Sequence, residues 1–269
     1  MNLGPTPTAT FTPLPPTSTP IPFVIQVNTL GITREEYDAE ILRYKDMLTT
    51  QGRTAADDEI RKAVNDELVG QLIFANGAKE AGYTITDAEI QQKYDSISST
   101  LGGAEKLNAW LQANHYDKVG FQLALGRNAA VAWMRDKIAA ETSSTAEQVH
   151  IQQLLLYDEA TAKIYFDQLM NGANFDTLAS QIDPVTMGDI GWFPRGYIPD
   201  KAVEDAAFNL EVGKTSEIVK GAVGYYILKC IEKDSAHPLN PDALSAKQKQ
   251  SIDAWLAAQE TTQTIIINQ

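Results

Sequence analysis

Residues 188–231 read GDIGWFPRGYIPDKAVEDAAFNLEVGKTSEIVKGAVGYYILKCI, and this stretch decides the fold. Gly188-Asp189-Ile190-Gly191 is a tight turn, and the aromatic pair Trp192-Phe193 follows it. A second turn, rich in Gly and Pro from Pro194 to Pro199, leads into a short helix carrying Ala206, Ala207 and Phe208. Leu210 and Gly213 close that helix. Ser216 to Val219, a glycine turn and a run of strand-formers from Val223 to Ile231 complete the stretch.

Upstream, Val149, Ile151 and Leu155 alternate as a strand, and Asp158 to Met170 returns to helical spacing. Gly172-x-x-Phe175-x-x-Leu178-Ala179 then marks a second helix. The order strand, helices, short strand, helix, two strands predicts an α+β domain over 147–234, a small and mostly antiparallel sheet covered by helices.

Taken in order, these motifs resemble the parvulin family of peptidyl-prolyl cis-trans isomerases. The features that match are its G-D-L-G-W-F turn, A-A-F-x-L-x-x-G helix end, S-x-x-V strand and final G-x-H-I-I strand. Several spaced motifs in the right order are specific, where one alone would be weak.

The resemblance implies a proline pocket at Ile190, Ile198 and Val203, which stand where the family has a Leu, a Met and an aromatic. It therefore implies a pocket without its aromatic wall at Val203; ordinary core packing explains an apolar residue there equally well. Trp192 follows the turn and is a candidate for the pocket rim. In the polar centre, Gln153 stands at the position of the family's first-strand His and Tyr226 at that of its last-strand His. Asp183 falls near the family's Cys or Asp, in a shortened 180–188 loop. Gln and Tyr both donate and accept hydrogen bonds, so they preserve a polar chain without titrating near neutrality. His150 is out of phase with Gln153 and is expected on the opposite face.

Residues 33–141 carry helical spacing throughout. Thr33-Arg34-Glu35-Glu36 and Thr86-Asp87-Ala88-Glu89 are capping boxes. Ile60, Val64, Leu68, Leu72 and Ala75 form one stripe, and Gly102-Gly103 breaks the pattern. The strand-like 23–32, the I-T-R-E-E-Y opening and the 67–90 segment resemble the N-terminal chaperone region of the SurA and PrsA classes of extracytoplasmic foldases. This predicts a helical chaperone-like domain over 23–146. The C-terminal helix and strand, 235–269, are expected to pack back on that region, as in those families. Trp110, Trp133 and Trp255 read as core.

Residues 4–22, GPTPTATFTPLPPTSTPIP, cannot bury apolar area and predict a disordered Pro/Thr-rich tether over 1–22, outside the cytoplasm, with a membrane anchor upstream. The net charge of −13, from 22 Lys and Arg against 35 Asp and Glu, argues against nucleic acid as a partner. One cysteine, Cys230, excludes an intrachain disulfide and reads as a buried, inert thiol. Three dispersed histidines (His115, His150, His237) give no metal-ligand spacing, and the implied chemistry needs no cofactor. No apolar run reaches transmembrane length.

Two functions stay open on the sequence. One is a foldase that isomerises X-Pro bonds in exported, unfolded polypeptide. The other is a holdase whose parvulin-like domain only binds peptide.

Overall fold

The structure, a computed structural model, describes residues 23–268. The 1–22 segment predicted as a tether lies outside the described residues. In chain order the elements are β1 (Phe23–Val27), β2 (Leu30–Thr33), α1 (Arg34–Thr50), α2 (Asp57–Glu80), α3 (Asp87–Leu101), α4 (Ala104–Ala113) and α5 (Lys118–Glu141). There follow β3 (Thr145–Leu156), α6 (Glu159–Met170), α7 (Phe175–Ile182), β4 (Asp189–Pro194), α8 (Lys201–Asn209) and β5 (Val219–Lys220). The chain ends with β6 (Tyr225–Pro238), α9 (Pro241–Glu260) and β7 (Ile265–Ile267). They fall into two compact units: the described residues through Met134 with the tail from Ala258, and Arg135–Ala257.

The first unit is helical, apart from a three-stranded sheet of order β2-β1-β7. Both capping boxes form, since Thr33 and Thr86 accept from the backbone N–H of Glu36 and Glu89, whose carboxylates answer to the cap N–H groups. The stripe of α2 is buried as its spacing requires, with Val64, Leu68 and Leu72 each at most 2% exposed. Each such side chain contributes about 1.5–3 kcal/mol by leaving water. The sequence reading, strand-like over 23–32 with the C-terminal strand packing back on this region, did not separate two strands there. The chain turns at Asn28 (φ 52°) to form a β1–β2 hairpin, and β7 pairs with β1 on its other edge. That pairing joins residues more than 230 positions apart, a link no local pattern encodes.

The second unit holds an antiparallel four-stranded sheet of order β4-β3-β6-β5. Alternation along β3 divides two cores. Val149 and Ile151 join Phe193, Val203, Ala207, Phe208, Tyr226 and Leu228 beneath α8. Leu154 and Leu156 join Ala162, Phe175, Leu178 and Ile227 beneath α6 and α7. Cys230 is fully buried, and burial pushes its thiol pKa up, so it stays protonated and inert.

Two boundaries differ from expectation. β6 continues past Asp234 to Pro238, because the first residues of β3 offer it a ladder at Thr145↔Pro238 and Ala146↔His237. Most of α9 belongs to this second unit: Lys247 Nζ donates to the Thr145 carbonyl (3.1 Å) and Gln250 Nε2 to the Gly196 carbonyl (3.2 Å).

Candidate active site

The face of the sheet beneath α8 does not close completely. A pocket of about 230 Å³ opens there, lined by Ile151, Gln153, Ile190, Phe193, Ile198, Asp200, Val203 and Tyr226. At ~30 Å³ per water this is room for seven or eight waters, the scale of one ring with its flanking amide rather than of a large ligand. The period-2 pleat brings Ile151 and Gln153 of β3 to it, and Tyr226 projects from the neighbouring β6. The turn before β4 supplies Ile190, the 194–200 loop supplies Ile198, and α8 supplies Val203.

Five of the seven site residues expected from the sequence therefore line one cavity: Gln153, Tyr226, Ile190, Ile198 and Val203. Its walls are apolar except for Gln153, Asp200 and the Tyr226 phenol. Aromatic surface comes from Phe193, 1% exposed, and from Tyr226, so the pocket has the aromatic wall that Val203 does not provide. Nothing in a single sequence said which of Trp192 and Phe193 faces in.

Trp192 is the one that does not. Alternation along β4 turns it to the opposite face, where it stacks on His237 (ring centroids 3.9 Å apart) and sits 5.7 Å from His150. His150 lies on that face as expected, its Nε2 2.7 Å from Asp189 Oδ1. No imidazole lines the pocket.

Asp183 is also outside the lining. Its carboxylate accepts from the backbone N–H of Val185 (3.0 Å) and Thr186 (3.1 Å) and from the Thr186 hydroxyl. The Thr186 hydroxyl and these backbone N–H groups hold its pKa below the usual carboxylate value. Thr186 Oγ1 accepts in turn from Gly188 N–H (3.2 Å), and the Gly188 carbonyl from Gln153 N–H (2.8 Å). Asp183 thus shapes the turn that docks on the backbone of Gln153. Because its folded pKa is lowered, its contribution is present above the ordinary carboxylate range and lost as pH falls through the folded value. Asp183→Asn is expected to flatten the acid side of the stability curve, and thermal melts across pH 3–6 check this.

Asp200 was not singled out in the sequence. It caps α8, Oδ1 accepting from Ala202 and Val203 N–H, while Oδ2 accepts from Ala222 N–H (2.6 Å) and straps the β5–β6 turn to the helix. With both oxygens committed it is a scaffold, not a free base. Burial first, and the Asp200 charge second, push the Tyr226 phenol pKa above 10.0, so the hydroxyl is kept as a donor. Gln153 and Tyr226 enter none of the side-chain hydrogen bonds among the described residues, which leaves both available to a guest.

Both parts of the chain match known families. Residues 139–246 match the family model of the PPIC-type PPIase (peptidyl-prolyl isomerase) domain, and residues 19–122 match that of the SurA-like N-terminal domain. Foldase protein PrsA of Caldanaerobacter subterraneus is 28% identical over 225 residues, covering 77% of this chain and 72% of that protein. Foldase protein PrsA 4 of Bacillus cereus is 28% identical over 239 residues, covering 82% and 84%. Among solved structures, a peptidylprolyl isomerase (PrsA) from Bacillus cereus superposes with a TM-score of 0.47 at 22% identity, over 78% of this chain and 84% of that one. The chain thus joins a SurA-like N-terminal domain to a PPIC-type PPIase domain, and the curated relatives it resembles over both are named PrsA foldases.

Proposed function

We propose that this protein is a foldase that isomerises X-Pro bonds in unfolded polypeptide clients. The observation that carries the reading is the single pocket that gathers Ile190, Ile198, Val203 and Phe193 around Gln153 and Tyr226. Rotation about an X-Pro bond must break amide resonance, a barrier of about 20 kcal/mol, and needs neither nucleophile nor metal. The apolar walls hold the proline ring and exclude water. As the amide twists, its nitrogen becomes pyramidal and basic while its carbonyl loses conjugation. The Gln153 amide and Tyr226 phenol donate to the twisted form better than to the planar one, and that difference lowers the barrier.

The proline- and threonine-rich 4–22 segment, with the resemblance to the extracytoplasmic foldase class, supports a location outside the cytoplasm and attachment to a membrane. Among the described residues no helix is long and apolar enough to cross a membrane.

A second reading, a holdase with a silent parvulin-like domain, is favoured by two observations. By the sequence resemblance, Gln153 and Tyr226 stand where the family has histidines. In the helical unit, a cleft of about 290 Å³ between α1, α2 and α5 sets the exposed Val119 and Leu123 beside the charged Glu35, Glu40, Arg43 and Asp117, a place for a client segment of mixed polarity. NMR exchange spectroscopy on a short Ala-Pro peptide separates the readings. Catalysis that falls about ten-fold in Gln153→Ala, the worth of one hydrogen bond, supports the isomerase. Suppressed aggregation of an unfolded client without catalysis supports the holdase.

A further inference from the structure

We propose that Glu204 is a positioning residue of the proline pocket, holding the loop that carries Ile198, and that Gln250 on α9 grips the same loop from outside. This rests on the isomerase reading of the pocket. Glu204 lies in the first turn of α8 and is 8% exposed. One oxygen, Oε1, accepts from the N–H of Gly196 (2.7 Å) and of Ile198 (3.3 Å). Among the described residues no Lys or Arg pairs with it, so this buried carboxylate is matched to backbone donors of the 194–200 loop rather than to a cation. On the outer side, Gln250 Nε2 donates to the Gly196 carbonyl at 3.2 Å. Gly196 is thereby held at both its polar groups. Ile198 lies two residues on, within the pocket wall. Apart from its Pro194 anchor the loop has little burial of its own, because Arg195, Gly196 and Tyr197 are all exposed. Its shape depends on these grips.

Gln250 falls outside the segment matched to the PPIC-type domain, which ends at residue 246. The loop that carries Ile198 is therefore gripped from the part of α9 that lies beyond that segment.

Ile198 meets the proline ring in the planar and twisted amide alike, so loosening it removes uniform binding and acts on KM. Glu204→Ala is expected to raise KM for an Ala-Pro peptide about five-fold, with kcat within about two-fold, on the scale of one or two lost hydrogen bonds. Glu204→Gln keeps an acceptor oxygen and is expected to stay near wild type. Gln250→Ala, a change at an exposed site, gives a smaller shift in the same direction and serves where Glu204→Ala does not fold. Amide hydrogen exchange at Gly196 and Ile198, read by NMR on the full chain without peptide, is expected to quicken in both alanine variants. Unchanged exchange at Ile198, or quickened exchange with unchanged peptide affinity, overturns the proposal. If the wild-type chain does not catalyse, the isomerase reading fails. Exchange and titration with the Ala-Pro peptide still decide whether Glu204 positions the pocket.

Discussion

Gly188→Ala is expected to destabilise the second unit by more than about 3 kcal/mol, beyond the cost of an ordinary surface substitution. Gly188 has φ 71° and is buried, and a Cβ there would overlap the Gln153 carbonyl oxygen on β3. Two costs therefore combine. The left-handed backbone alone costs a non-glycine residue roughly 1–2 kcal/mol. The overlap is with main chain in the middle of a sheet, which cannot rotate away as a side chain could. The turn must lift off β3, breaking the bond from Gln153 N–H to the Gly188 carbonyl and displacing Ile190. Gly172→Ala separates the two costs, because its φ is 91° but a Cβ there meets nothing within 4 Å. That control is expected to lose only about 1–2 kcal/mol. Thermal and urea melts of the transition belonging to the second unit give the comparison. Equal losses for the two variants would mean that the close approach to Gln153 contributes nothing.

The same glycine shows why much of this fold could be read from one sequence. Gly188-Asp189-Ile190-Gly191, the β3 alternation and the α8 helix end are local devices, each a short pattern with one stable solution. These patterns carry the family resemblance, and it is the resemblance that points to Gln153, Ile190, Ile198, Val203 and Tyr226 as one site; Ile151, which also lines the pocket, was not among them. What stayed hidden depends on contacts distant in the chain. Glu204 reads as an ordinary helix-surface charge until the loop before it folds back onto its carboxylate. Asp200 carries no signal of its own in the sequence, and its hold on Ala222 appears only when β5 and β6 are in place. Asp183 looks like a member of the polar centre by position, yet the shortened loop spends its carboxylate on closing its own turn. Trp192 and Phe193 differ by one residue and hence by one face, a choice set by the register of β4 against β3 at Val149↔Phe193.

Tyr226→Phe is expected to lower kcat at least about ten-fold with KM within about two-fold, because the ring stays in the wall and only the donor is lost. Its pH dependence is the sharper test. With no imidazole lining the pocket, catalysis by the wild-type chain is expected to be flat from about pH 6 to 9, where a histidine centre would titrate. The phenol pKa is raised above 10.0 by burial and then by the Asp200 charge, so the alkaline fall comes later than for an exposed tyrosine. Stability follows the same sign. A folded pKa above the unfolded one means that the contribution is fully present below the ordinary tyrosine range and is lost as pH rises through the folded value. Tyr226→Phe removes both the alkaline limb of kcat and that alkaline loss of stability. A wild-type profile with an acid limb near pH 6–7 would contradict this. A flat profile in which Tyr226→Phe changes nothing would leave the pocket able to bind proline but not to twist it. Gln153 and Tyr226 would then be the substitutions that turned an isomerase fold into a holding site.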